Sequence, residues 1–178
     1  MRAADGASSV LPLRSLGLQT DLDLADFEGD VADCGAYVRV ATPRNPGYHW
    51  GNFLSGQELR TFYTREDRPE VERLVHSLEH GHTILWYDDT VKPGTDAYQD
   101  VKAISNKFDP ESDKFMAAPW KSSDGKSFPS GKHVALTHWT GPQNQKGVTQ
   151  YCAAPSGAVV QAFMKANPAS SAPEPEAP

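Results

Sequence analysis

The chain has 178 residues, a hydrophobic content of 38%, 14 glycines and 14 prolines, which fits one compact domain with many loops. Its net charge of −6 disfavours a nucleic-acid partner, because such a partner calls for a basic surface. The sequence contains no run of about 20 apolar residues, so it predicts no transmembrane segment.

The two ends of the chain differ in composition from its middle. Residues 1–30 carry leucines without a sustained period of 2 or 3.6, which predicts an extended N-terminal segment packed along the domain. Residues 168–178 hold Pro, Ala, Ser and Glu and no large apolar side chain, so burial cannot offset the entropy of ordering them. We therefore predict a disordered tail over 168–178 and a single folded domain over 31–167.

Periodicity and capping signals predict eight elements in the middle of the chain. Helix 69–80 is the clearest, with Pro69 at its first position, an apolar stripe that includes Leu74 and Leu78, and Gly81 as its C-terminal cap. The punctuated stretch 42–56 is a Pro- and Gly-rich loop. The order of elements predicts an α+β fold with a mixed sheet of four or five strands and about three helices, packed mainly on one face. The other predicted elements are strands at 35–41, 83–87, 114–120, 133–139 and 147–152, with a hairpin between the last two, and helices at 95–108 and 156–167.

Histidines cluster at the end of helix 69–80. At 100° per residue, His76 and His80 lie opposite the apolar stripe with Glu79 beside them, so they face either solvent or a second surface such as a folded-over loop. Imidazoles at i and i+4 can bind one metal ion, and this ligand type suits Zn(II) or Cu(II). His49 in the loop is the obvious further ligand candidate. Additional candidates are His82 and His138.

Two other interpretations of the cluster stay open from the residues alone. Histidines at a helix C-terminus also interact favourably with the helix dipole and need bind nothing. The five residues 76–80 match the H-x-x-E-H pattern of inverted zinc proteases. We disfavour a protease, because Gly81 ends the helix directly after His80 and no suitable downstream carboxylate is evident.

The two cysteines, Cys34 and Cys152, lie far apart in the sequence. They form a disulfide if the protein is exported, and they are unrelated buried thiols if it is cytosolic. The residues alone leave both possibilities open.

Three motifs in order resemble a bacterial family of exported or membrane-anchored proteins. They are "NPGYH" (45–49), "LVHSLEHG" (74–81) and "VALTHW" (134–139). The family is known as a domain of unknown function, number three thousand one hundred and five, and the resemblance covers roughly residues 40 to 167. It implies polar motif residues at His49, His76, Glu79 and His80. It also implies an extracytoplasmic setting, which strengthens the prediction of a Cys34–Cys152 disulfide. His138 stands where a small residue is more usual.

These observations support three hypotheses. The first is an extracytoplasmic domain that binds Cu(II) or Zn(II) without catalysis, through His49, His76 and His80, with Glu79 as a ligand or as a residue that orients one. The second is a metal-dependent hydrolase or redox enzyme that uses the same cluster, with Glu79 as base. The third is a metal-free structural or interaction domain in which the cluster fixes loop 42–56 onto the helix.

Overall fold

The computed structural model describes residue 34 and residues 38–41, 53–141 and 146–177. The predicted N-terminal segment (1–30), most of the Pro-rich loop and the first part of the strand predicted at 35–41 lie outside the described residues. Within the described residues, five strands form one mixed sheet and three α-helices pack against it, which confirms the predicted α+β class. In chain order the elements are β1 (Val38–Ala41), α1 (Val71–Glu79), β2 (Thr83–Tyr87), α2 (Asp96–Ser105), β3 (Phe115–Pro119), β4 (Val134–Thr140), β5 (Lys146–Cys152) and α3 (Gly157–Ala166).

The strand order is β1-β5-β4-β2-β3, with β2 and β3 parallel and every other neighbouring pair antiparallel. Strands β4 and β5 form the predicted hairpin. The outer edge of β3 is covered by residues 61–63, because Tyr63 donates its backbone N–H to Ala117 and Ala117 donates to Thr61, at 2.9 and 2.8 Å. This extra pairing gives hydrogen-bond partners to backbone N–H and C=O groups at the edge of β3 that would otherwise be unpaired.

The helices begin where the sequence supplies caps. The hydroxyls of Thr95 and Ser156 accept hydrogen bonds from the backbone N–H groups of Tyr98 and Val159 at the starts of α2 and α3. Helix α1 has no side-chain cap at its N-terminus, and it ends at Glu79, with His80 as the C-terminal cap directly before Gly81.

Helices cover both faces of the sheet, which corrects the prediction that they lie mainly on one. Helices α2 and α3 pack on the face formed by residues such as Leu85 and Leu136, whereas α1 packs on the opposite face with Ile84 and Trp86. All five residues of β2 and all five of β3 are buried, and a strand buried on both sides needs cover on both sides.

The C-terminal residues differ from the disordered tail predicted for 168–178. Residues 168–177, here called the C-terminal arm, contain a 3-10 turn at Ala169–Ser171 and cross the end of the sheet where β4 ends and β2 begins. The side chain of Ala172 is buried, and backbone hydrogen bonds hold the arm on either side of it. Backbone bonding of this kind needs no large apolar side chain, which is why composition did not reveal it.

Candidate functional site

Helix α1 brings His76 and His80 together one turn apart. Their ring centroids are 4.6 Å apart and their planes meet at 79°. Both residues are buried, with 8% of His76 and 3% of His80 exposed. Of the two surroundings predicted for this pair, solvent and a second surface, the structure shows the second.

Two segments supply that second surface. Phe53, the first described residue of the Pro-rich loop, lies against both imidazoles, with centroid distances of 6.1 Å to His76 and 5.3 Å to His80. The C-terminal arm also reaches α1, where the backbone N–H of Glu174 donates to the carbonyl of Glu79 at 3.0 Å. Two segments that are distant from each other in sequence therefore meet at the end of α1 that carries His80.

The buried face of α1 is wider than the predicted apolar stripe. Leu74 is fully buried, as predicted, but Leu78 is only half-buried, and the polar residues His76, Ser77 and His80 are buried instead. The helix is thus enclosed on the side of its polar residues as well as on the side that meets the sheet. Polar side chains buried in this way usually have a specific partner.

His82 is engaged by backbone carbonyls. Its Nδ1 lies 3.1 Å from the carbonyl oxygen of Ser77 and its Nε2 lies 3.1 Å from that of Pro110. Burial, with a smaller effect from the charge of Lys114, lowers the pKa of His82 to about 4, although the two carbonyls act in the opposite direction. His82 thus links the end of α1 to the loop before β3, and the structure does not direct its ring nitrogens to the His76–His80 pair.

His138 holds the C-terminal arm. It lies fully buried on β4, on the face that carries α2 and α3, and burial lowers its pKa. Its Nε2 is 3.2 Å from the hydroxyl oxygen of Ser171 and its Nδ1 is 3.3 Å from the carbonyl oxygen of His82. The structure therefore does not bring its ring to His76 and His80, and it gives His138 an anchoring contact that the sequence did not suggest.

The described residues supply part of the predicted ligand set. His49 lies outside them, and the half-buried Glu79 contacts the arm through its backbone carbonyl. Across residues 53–141 and 146–177, no group of three His, Cys, Asp or Glu side chains is arranged to hold a metal ion. What the structure contributes to the predicted site is the His76–His80 pair.

A disulfide joins Cys34 to Cys152, the last residue of β5, across 118 positions of sequence. This confirms the predicted pairing. No helix in the described part of the chain is long and apolar enough to cross a bilayer.

The family model described as "Protein of unknown function (DUF3105)" matches residues 37–178. The chain belongs to this family. A search of curated proteins and a search of solved structures each returned no match. The DUF3105 match extends through the C-terminal arm, beyond the domain end predicted at residue 167, which agrees with the contacts that the arm makes.

Sequence analysis of this DUF3105 domain missed two residues at the histidine pair. Phe53 lies near the end of the Pro-rich loop, and an aromatic residue at the return of a long loop was a usable signal. Glu174 lies in a segment whose composition predicts disorder, yet its Oε2 is 4.0 Å from Nε2 of His80. Its role depends on how the chain folds back, and the local sequence carries no sign of that.

A sixth histidine lies at the opposite end of the sheet. Nδ1 of His133 is 2.9 Å from a carboxylate oxygen of Asp88, and the hydroxyl of Thr90 donates to the same carboxylate. Burial raises the pKa of Asp88, but the hydrogen bonds from Thr90 and His133 outweigh it and leave the pKa below its usual value. The Asp88–His133 pair joins the end of β2 to the start of β4. His133 is therefore a suitable control for the histidines of α1.

Proposed function

We propose that this DUF3105 domain binds a transition-metal ion, Cu(II) or Zn(II), in an extracytoplasmic compartment, with His76 and His80 as two of the ligands. The observation that carries the proposal is the buried pair of imidazoles on one helix face. A metal–nitrogen bond of about 2.1 Å places a ring centroid about 3.2 Å from the ion. Two bound rings then have centroids about 4.5 Å apart at the square-planar angle of Cu(II) and about 5.2 Å apart at the tetrahedral angle of Zn(II). The centroid distance of 4.6 Å between His76 and His80 matches the first value and is slightly shorter than the second.

The chemistry of the surroundings favours an ion of intermediate softness. Both cysteines are in the disulfide, and the chain has only three methionines, so soft sulfur ligands are not offered. Imidazole nitrogen with nearby carboxylate is the donor set that Zn(II) and Cu(II) prefer. Glu79 is half-buried beside His80 and serves in this proposal as a ligand or as the carboxylate that orients one.

The path of the chain supports His49 as the loop ligand. Strand β1 ends at Ala41, which pairs with Lys146, and Lys146 also pairs with Thr140 at the end of β4. The loop thus departs from the end of the sheet that the histidine helix reaches, and it returns at Phe53 on the imidazoles themselves. His49 precedes Phe53 by four positions, a span of at most about 14 Å, so the loop is long enough to place His49 on the pair.

Burial of the pair favours binding over catalysis. An enzyme that activates water or substrate on the ion needs an open coordination position that a substrate can reach. His76 and His80 are both buried beneath Phe53 and beside the C-terminal arm. The disulfide supports the extracytoplasmic setting, because such bridges persist in oxidising compartments.

The proposal is tested by metal content. The disulfide-intact protein is stripped with chelator, dialysed against Zn(II) or Cu(II), and assayed by elemental analysis and competition titration. We expect one ion per chain, with the dissociation constant raised at least about 100-fold when His76 and His80 are both changed to Gln, a residue that keeps polar volume at each position. His133→Gln, at the opposite end of the sheet, is the matched control and is expected to leave the affinity unchanged.

The loop ligand is tested separately by His49→Gln, which in this proposal weakens binding without preventing the fold. A metal-free structural role predicts a different result, in which His49→Gln lowers the free energy of unfolding and leaves metal content unchanged. That role gains weight from the lack of a three-ligand group among the described residues. Fewer than about 0.1 ion per chain in the unaltered protein would overturn the metal-binding proposal.

A further inference from the structure

The C-terminal arm is held across the end of the sheet by a series of backbone contacts. The backbone N–H of Gly141 donates to the carbonyl of Ser171 at 2.7 Å, and Nζ of Lys114 donates to the carbonyl of Ala177 at 3.0 Å. Between these two anchors, Ala172 is buried. The position of the arm is therefore fixed on both sides of Glu174.

Glu174 is fixed in register with the histidine helix. Its backbone N–H donates to the carbonyl of Glu79, the residue that directly precedes His80. Its side chain is 60% exposed, whereas the side chain of His80 is only 4% exposed, and Oε2 of Glu174 lies 4.0 Å from Nε2 of His80. A largely exposed carboxylate thus lies near a buried imidazole, on a backbone position that is set by hydrogen bonding.

From this geometry we infer that Glu174 is a further ligand of the ion bound by His76 and His80, and that ion binding is coupled to docking of the C-terminal arm. The inference rests on the metal-binding function proposed above. Two ligand atoms on one ion, with bonds of about 2.1 Å at 90–110°, lie about 3.0–3.4 Å apart. The observed 4.0 Å between Oε2 of Glu174 and Nε2 of His80 is wider, so His76, His80 and Glu174 do not form a closed metal site as they stand. A rotation of the Glu174 side chain that moves its oxygen by about 1 Å brings this distance into range.

Charge gives the same answer. Two neutral imidazoles leave the charge of a divalent ion uncompensated in a buried place, and a carboxylate from Glu174, in addition to that of Glu79, lowers this cost. The competing explanation is a simple ion pair between protonated His80 and Glu174 without any metal. Because Glu174 is largely exposed, such a pair would contribute little and would not respond to metal.

The test compares Glu174→Gln with Glu176→Gln, an exposed glutamate two residues along the same arm. Each full-length, disulfide-intact variant is titrated with Zn(II) and with Cu(II) at fixed ionic strength. We expect the dissociation constant to rise about 10- to 100-fold for Glu174→Gln and less than about twofold for Glu176→Gln. Amide exchange of the Glu174 and Ala177 N–H groups gives a second readout, and we expect the ion to slow it at least about tenfold in the unaltered protein and not in Glu174→Gln.

The outcomes separate this inference from the proposed function. If the unaltered protein takes up no ion, the metal-binding function fails and this inference fails with it. If the unaltered protein binds an ion and the His76/His80 variant does not, while the two glutamine variants match each other, the function stands and Glu174 is not a ligand. If Glu174→Gln weakens binding but the ion does not change amide exchange in the arm, the coupling is refuted.

Discussion

The arm passes close to Gly81 at the end of the histidine helix, and replacing this glycine tests that contact. Its φ is +95°, a conformation that residues with a side chain rarely adopt. A Cβ added there would lie 2.8 Å from the carbonyl oxygen of Ala169, 3.1 Å from its Cβ and 3.2 Å from its Cα. These atoms belong mainly to backbone, so Gly81→Ala requires the arm to move.

Gly94 supplies a matched control because it separates conformational strain from the contact with the arm. Its φ is +91°, and an added Cβ would meet nothing within 4 Å. Both Gly→Ala changes therefore carry the strain of a left-handed residue, about 1–2 kcal/mol, partly offset by the lower entropy of the unfolded chain. Only Gly81→Ala adds overpacking against backbone, about 1–3 kcal/mol more.

We expect urea unfolding to show Gly81→Ala less stable than Gly94→Ala by at least about 1 kcal/mol. Hydrogen exchange in residues 168–177 is expected to quicken in Gly81→Ala and to stay unchanged in Gly94→Ala. Equal losses of stability in the two variants, within about 0.5 kcal/mol, together with unchanged exchange in the arm, would refute the contact between Gly81 and the arm.

Three further predictions concern other parts of the domain. Replacing Cys34 and Cys152 by Ser removes a link across 118 positions, and we expect a loss of about 3–5 kcal/mol in the free energy of unfolding, measured with urea under non-reducing conditions. In chelator-treated protein, His82 has a pKa of about 4 when folded and about 6.5 when unfolded, so unfolding takes up a proton between these values. Stability should therefore be fully present above about pH 6.5 and fall by about 3 kcal/mol as the pH drops to about 4, with a flatter profile in His82→Gln. Asp124 accepts two hydrogen bonds from a buried arginine, so Asp124→Ala should cost about 3–5 kcal/mol, whereas Asp89→Ala, at a largely exposed ion pair, should cost less than about 1 kcal/mol in the same urea assay.

The order and type of the secondary-structure elements could be predicted because local signals determine them. The stretch "TILWY" forms β2 at Thr83–Tyr87, as predicted. The helix predicted over 69–80 forms α1, which starts at Val71, two residues after the predicted start. The placement of helices on the sheet was predicted less well, although "TILWY" held the necessary signal. A strand without polar alternation is buried on both faces, so it requires a helix on each side.

The surroundings of the histidines could not be predicted, because they depend on contacts between distant segments. The helical periodicity predicted that His76 and His80 lie on one side of α1, and their rings are indeed adjacent. It could not show that Phe53 and the C-terminal arm would cover them, since neither segment has a periodic pattern that indicates its partner. The composition of the arm indicated disorder because it shows only how little apolar side chain the arm can bury. The arm is instead held largely by backbone hydrogen bonds, which composition does not reveal.

The stretch "LVHSLEHG" joins two structural requirements in about two turns of helix. Leu74 fills the core between α1 and the sheet, while His76 and His80 form the buried pair on another side of the helix. Gly81 then lets the backbone of the arm approach closely enough for Glu174 to bond to Glu79 and reach His80. A side chain at position 81 would push the arm away from the imidazoles. Gly81→Ala is therefore expected to weaken the proposed ion binding as well as the fold, and Gly94→Ala is expected to affect the fold alone.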